Sequence, residues 1–483
     1  RPVVDLDGSR TIAGIEFGDL GSASYSLQDV SGSGNVLTLD GAIPFIQQKN
    51  ALDQTITNMT LNLGKSTVAD ITGAGDLIIS ANITQDSGDT NSLVRDGLGT
   101  GKLVLSGTNT FSGGVFVNTG IVEAQSDTAL GTGDATVADA GTLEVSSGVT
   151  IANNIATAGT GVGGNGSVRS TSGNNTLAGV ISGSGSVQVD ADSLTLSGAN
   201  TYTGTTTIAS GGTLVANNSN SLGSAAGGTT IAGGGTLSLT NNIAIGAEAV
   251  TNNGNLVNTS GTNSLGGVVS GTGGVTVASG QLTLSGSNTY DGTTTIASGS
   301  TLVATNNNSL GSTVGGTTVG SGAQLQLSGV AIGNEALTLN GAGISSDGAL
   351  RATTGTNSWS GTVTLDSNSR IESAAGANLT VSGVIAGGAN SLTVGGAGAT
   401  TLSGSNTYGT LTKTGSGQLT LSGGGKTVTT TSVTDGTVTL ATSDILSDGM
   451  ALDVSGGTFA MGGAITETID TLTQSNGALD VDG

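Results

Sequence analysis

The sequence predicts an all-β chain wound as a parallel β-solenoid, and three observations carry that prediction. Leu, Ile and Val recur in alternating pairs such as Leu194-Thr195-Leu196, the period-2 pattern of a strand with one buried face. Blocks of closely similar sequence return at fixed intervals. Gly accounts for 87 of 483 residues, whereas aromatics make up 2% and Pro only 2 positions. No helical periodicity stands out, and the abundance of Gly, Thr and Asn works against long helices.

The same composition bounds the chemistry. A Gly- and Ser-rich chain invites a reading as disorder, but disordered chains are usually rich in Pro and charge, and this one has 9% charged residues. With no Cys and no His, thiolate nucleophiles, disulfides, zinc fingers and His general bases are excluded. There are 33 acids against 11 bases, so nucleic acid is not an expected partner. A hydrophobic share of 35% is too thin for one large conventional core. No apolar run is long enough to span a bilayer, and the opening Arg1-Pro2-Val3-Val4 does not resemble a signal peptide. The chain therefore reads as a mature or trimmed segment.

The repeat is the strongest signal. Residues 194–216 read LTLSGANTYTGTTTIASGGTLVA and residues 282–304 read LTLSGSNTYDGTTTIASGSTLVA, an offset of 88. Looser copies occupy 103–124 and 401–411. A shorter period of 23 sits inside the long one: Ile208 with Leu214 returns as Ile231 with Leu237, and Ile296 with Leu302 as Val319 with Leu325. Roughly four such turns fill the long unit. One turn offers only two or three short apolar strands and cannot bury its own apolar face. Stacked turns can, about 4.8 Å apart, around one narrow interior. About 20 turns would make a rod on the order of 100 Å long.

The pattern LTLSGxNTYTGTTTIxxGTLxA resembles the autotransporter-associated β-strand repeat, or passenger-associated transport repeat, of bacterial extracellular proteins. The strong copies are 194–216 and 282–304, with weaker ones at 103–124 and 401–423. The stretch GGTFAMGGAITETIDTLTQSNGAL at 456–479 is similar to the closing coil of such units. The resemblance implies a right-handed parallel β-helix on the surface of, or outside, a bacterium. It implies no catalytic residues. No translocator barrel is legible in these residues, so it does not support secretion by the autotransporter route.

Within the repeat, the residues expected to hold the fold are Leu194, Leu196, Asn200, Tyr202, Ile208 and Leu214, then Leu282, Leu284, Asn288, Tyr290, Ile296 and Leu302, and finally Asn406 and Tyr408. Tyr202, Tyr290 and Tyr408 share one slot, which Phe111 fills in the looser copy, and Asn109, Asn200, Asn288 and Asn406 stand two residues before. Exposed rings there would suit sugar stacking. Rings covering the interior at a corner, beside Asn in a turn or an amide ladder, are preferred because Phe111 dispenses with the hydroxyl. The Thr clusters Thr205-Thr206-Thr207, Thr293-Thr294-Thr295 and Thr427–Thr431 could align into an ice-binding array. Thr is also simply a good polar strand former, and that reading is preferred. Sequons such as Asn58-Met59-Thr60 occur at about the rate chance would give and carry little weight.

Carboxylates are the one hydrolytic chemistry left open. Residues 201–300 contain only Glu248 and Asp291, with no Lys or Arg, so no cationic groove is expected there for an anionic polysaccharide. The two termini echo each other, Asp5 and Asp7 against Asp480 and Asp482. Residues two apart in a strand point to the same side, so each pair could bind Ca²⁺ weakly. Solvated acids that deter edge pairing are the competing reading. No other cofactor is expected.

Three segments are expected: an irregular N-terminal β-helix portion at 1–100, a repeat-bearing β-helix at 101–440, and closing coils at 441–483. The interval from Leu284 to Leu402 is 118, so one extra turn is expected near Trp359. The expected function is a non-enzymatic extracellular structural protein, a stiff rod serving as surface fibre or filament subunit and polymerising head-to-tail. The alternatives are an adhesin binding surface glycans or neighbouring cells and, behind it, a polysaccharide-degrading enzyme.

Overall fold

The alternation in the sequence becomes an inside–outside alternation in space. In the strand Asp192–Leu196, Leu194 and Leu196 are buried while Thr195 between them faces outward, and the same pattern recurs in Gln281–Leu284 and Gln418–Leu421. The computed structural model describes residues 2–18, 23–463 and 465–481. Among these, 46% lie in strands and none in an α-helix; the parallel strands build a β-solenoid. The chain divides into two units, Arg1–Leu237 and Ser238–Gly483.

In the first unit, Leu103, Val122, Leu143, Val168 and Val187 follow one another in register on successive turns, each fully buried. Burying one such side chain contributes roughly 1.5–3 kcal/mol, so a narrow core is sufficient when every turn adds to it. From Leu103 to Val187 is four turns, yet the next copy of the repeat starts at Leu194, one strand further along. The long repeat is therefore four turns and a strand, and the motif moves to the adjoining face of the coil.

The second unit obeys the same rule with one turn more. Leu284, Ala304, Leu327, Ala352, Ser373 and Gly396 are in register over five turns, and the strand Ala399–Leu402 carrying the next copy follows. This is the extra turn that the 118-residue interval requires. Trp359 is fully buried within it, its Nε1 donating to the Glu335 carbonyl at 3.0 Å.

Turn length is not uniform at 23. The interval from Leu103 to Val122 is 19, whereas that from Leu143 to Val168 is 25. Two of the 25-residue turns contain a short 3-10 segment, Val162–Gly164 in one unit and Ile344–Ser346 in the other. Each is closed by a glycine at positive φ, Gly166 at 95° and Gly348 at 92°. The corners absorb the difference in length while the strands stay in register. No helix among the described residues is long and apolar enough to cross a membrane.

Candidate functional site

The repeat places one polar side chain and one aromatic ring at a corner of the wall, and the wall consumes both. Asn109, Asn200, Asn288 and Asn406 are buried. Each carboxamide oxygen accepts the backbone N–H of the preceding turn, from Ile83, Ile181, Val269 and Ile385, at 2.9 Å in all four. In the first three, Nδ2 donates forward to the carbonyls of Ala129, Ser221 and Ser309 at 2.7, 2.8 and 2.7 Å. One amide thus staples three consecutive turns at the corner.

Two residues on, Tyr202, Tyr290, Tyr408 and Phe111 are buried, at 0–1% exposure. The rings line no surface a sugar could reach. Tyr202 Oη and Tyr290 Oη share hydrogen bonds of 2.6 and 2.7 Å with Thr206 and Thr294, four residues later. Phe111, lacking the hydroxyl, has Val115 at that place. Burial pushes the Tyr290 phenol well above its usual range. The next turn closes over each ring with a glycine. At Gly131, Gly223 and Gly311 a Cβ would stand 2.3–2.5 Å from the carbonyl of the aromatic residue and 3.0–3.1 Å from its ring. This explains the Leu-Gly pairs at 130–131, 222–223 and 310–311, which sequence reasoning did not single out.

The fourth corner is incomplete. No Leu-Gly segment follows, and Lys426 stands in register with Asn406. The Asn406 amide nitrogen and the Tyr408 hydroxyl have no partner among the described residues. Lys426 is 2% exposed, and its ammonium donates to the carbonyls of Gly404, Ser422 and Gly424 at 2.7, 2.8 and 2.7 Å. Burial lowers its pKa to about 8. Lys413, also buried, donates to Thr414 and Gly415 carbonyls and is lowered to about 8 by the same cause. In the first unit Arg95 is caged by the carbonyls of Asp96, Gly97 and Gly101, and burial lowers it to about 10. Sparse basic residues read in the sequence as missing surface charge; here several are internal plugs.

The aliphatic members of the repeat stack as layers: Leu194 on Leu214, Ile208 on Ile231, Leu282 on Leu302 and Ile296 on Val319, with Leu196 and Leu284 likewise buried. Each Thr triplet is divided. Thr206 and Thr294 turn inward to the phenols, and Thr295 faces outward in single file with Thr276, Thr318, Thr338 and Thr364.

The acids are mostly spent. Lys102 bridges Glu123 and Glu144 at 3.0 and 2.5 Å, and Arg169 bridges Glu144 and Asp190 at 3.1 and 2.5 Å, a chain of charge along one wall. Glu335 is buried beside Thr317, whose hydroxyl donates to it at 3.1 Å, and burial raises its pKa to about 7. At the N-terminal end, Asp5 accepts the Val30 N–H at 2.9 Å and Asp7 pairs with Arg10 at 2.6 Å. Asp480 ends the strand Ala478–Asp480 of the other unit, and Asp482 lies outside the described residues. Among the described residues no group of three or more acidic side chains gathers as a metal site would need.

Parallel turns around an aliphatic interior, pinned by amide-stapled corners, make this chain a β-solenoid. The family model of the passenger-associated transport repeat matches residues 98–124, 187–216 and 279–304, the segments that carry the three complete corners. The chain carries three of these repeats; the 401–423 copy lies outside the matched segments. No curated protein matches the chain.

Proposed function

We propose that the chain is a non-catalytic structural protein working at the surface of a bacterium or beyond it, a β-solenoid spacer that assembles head-to-tail into a surface fibre. The observation that carries the reading is the corner. Its Asn, its aromatic ring and its Gly are all committed to holding one turn on the next, and none is presented to a ligand. The matched repeat supports an extracellular, passenger-like setting.

The outermost described strands support the assembly reading. Val3–Asp5 and Thr471–Gln474 are exposed along their whole length, and each pairs with an inner neighbour, Ser26–Gln28 and Ala451–Val454. Backbone groups of an open parallel edge are best satisfied by another turn of the same geometry, which a second copy supplies. Electron microscopy of the purified chain over a concentration series tests this. Filaments that lengthen with concentration are expected; monodisperse single particles at the highest concentration would remove the assembly reading and leave the spacer.

A further inference from the structure

One wall of the first unit departs from the polar outward pattern. Phe45, Val68, Val94 and Phe116 face outward and stand in register on four successive turns, Phe45 beside Val68, Val68 beside Val94, Val94 beside Phe116. Phe45 and Phe116 are 36% and 38% exposed. Three consecutive ring atoms of Phe45 stand 2.6–2.8 Å from where a Cβ on Gly14 would lie, so the ring packs face-on over that glycine and stays partly exposed. Two residues along the same strands runs a second outward row, Gln47, Asp70 and Asp96. Gln47 Nε2 donates to Asp70 at 2.7 Å, and Asp96 accepts the Gly97 N–H at 2.8 Å. Ile43, Phe45, Val68, Asp70, Asp96 and Gly97 line a shallow concavity between the rows. Arg95 lies beneath, turned inward and engaged by the loop carbonyls, its charge close enough to act on Asp70 and Asp96.

We propose that this wall binds a polysaccharide bearing protonated amino sugars, laid along the row of turns. Partly exposed aromatic rings pack on the apolar faces of pyranose rings, and Asp70 and Asp96 pair with the ammonium groups. Turns repeat about every 4.8 Å, close to the length of one sugar unit, so both rows keep pace with an extended chain. The charge selects the ligand: a chain of net charge -22 with two carboxylates beside the stripe repels anionic polymers and attracts cationic ones.

Titration calorimetry of the full chain with a glucosamine hexamer, in mildly acidic low-salt buffer, tests it. Binding is expected, weakened about tenfold by Phe116→Ala and about tenfold by Asp70→Asn with Asp96→Asn, and weakened by added salt. Circular dichroism melts of each variant show whether it folds, and the Asp pair, whose substitution is isosteric, keeps the test valid if Phe116→Ala does not fold. Absence of binding by the parent chain, equal binding of an anionic uronate oligomer, or unchanged binding by the folded variants would each overturn the proposal.

Discussion

Tyr202 and Thr206 face each other inside the wall, Oη to Oγ1 at 2.6 Å, and Tyr290 and Thr294 repeat the contact at 2.7 Å. The four aromatic corners therefore form a natural substitution series. Tyr202→Phe and Tyr290→Phe each leave a threonine hydroxyl without its partner, and each is expected to cost about 1 kcal/mol. Tyr408→Phe removes a hydroxyl that makes no close hydrogen bond among the described residues and is expected to change stability by less than about 0.5 kcal/mol, or to raise it. Phe111→Tyr buries a new hydroxyl against Val115 and should cost roughly 1–3 kcal/mol. Urea denaturation of the four variants checks the ranking.

The Asn staple predicts a larger effect. Asn200→Ala orphans the Ile181 N–H and the Ser221 carbonyl together, for roughly 2–4 kcal/mol. Asn406→Ala orphans only the Ile385 N–H and should cost about half as much. Equal losses at the two positions, measured by denaturant midpoint, would refute the forward half of the staple.

Much of this was legible in the sequence because a solenoid writes its geometry as periodicity. Ile208 and Ile231 pair at the 23-residue spacing the sequence showed, as do Leu302 and Leu325. The added strand was not legible: 88 residues look like four turns, and only the register of Val187 and Leu194 on different strands shows it. The corners were half legible. Asn200 and Tyr202 stood out by repetition, but the partner carbonyl of Ser221 and the covering Gly223 lie about one turn away, where spacing varies. Lys426 was invisible as a plug, because nothing local distinguishes an internal lysine from a solvated one.

Gly223 sits at φ +78°, and a Cβ there would stand 2.5 Å from the Tyr202 carbonyl. Gly211, at φ +86°, has open space around it. Both Gly→Ala substitutions strain the backbone by roughly 1–2 kcal/mol, and only Gly223→Ala adds a steric clash. Thermal denaturation should therefore place Gly223→Ala well below Gly211→Ala; coincident melting temperatures would show that the covering contact is slack.

Glu335 makes stability depend on pH in the acid range. Its carboxyl is raised from 4.5 to about 7 by burial, so the folded chain holds a proton that the unfolded chain has already released. Stability from this group is complete below about pH 4.5 and is lost as pH rises to about 7. Glu335→Gln, which stays neutral, should flatten the profile between those limits. A denaturant midpoint that falls equally steeply in the variant would assign the slope to another group.

Lys413 and Lys426 act on the alkaline side with the opposite sign. Burial lowers each from 10.5 to about 8, so the unfolded chain keeps a proton that the folded chain gives up. The stability they contribute is present above about pH 10.5 and is lost as pH falls through 8, so the denaturation midpoint should rise across that window. Lys426→Met removes its share of the slope but leaves the carbonyls of Gly404, Ser422 and Gly424 without their donor. The variant is expected to be less stable at every pH and to have a shallower profile above pH 8. A variant of parental stability would mean that water or a neighbouring donor replaces the ammonium in the cage, and an unchanged slope would leave Lys413 as the group responsible.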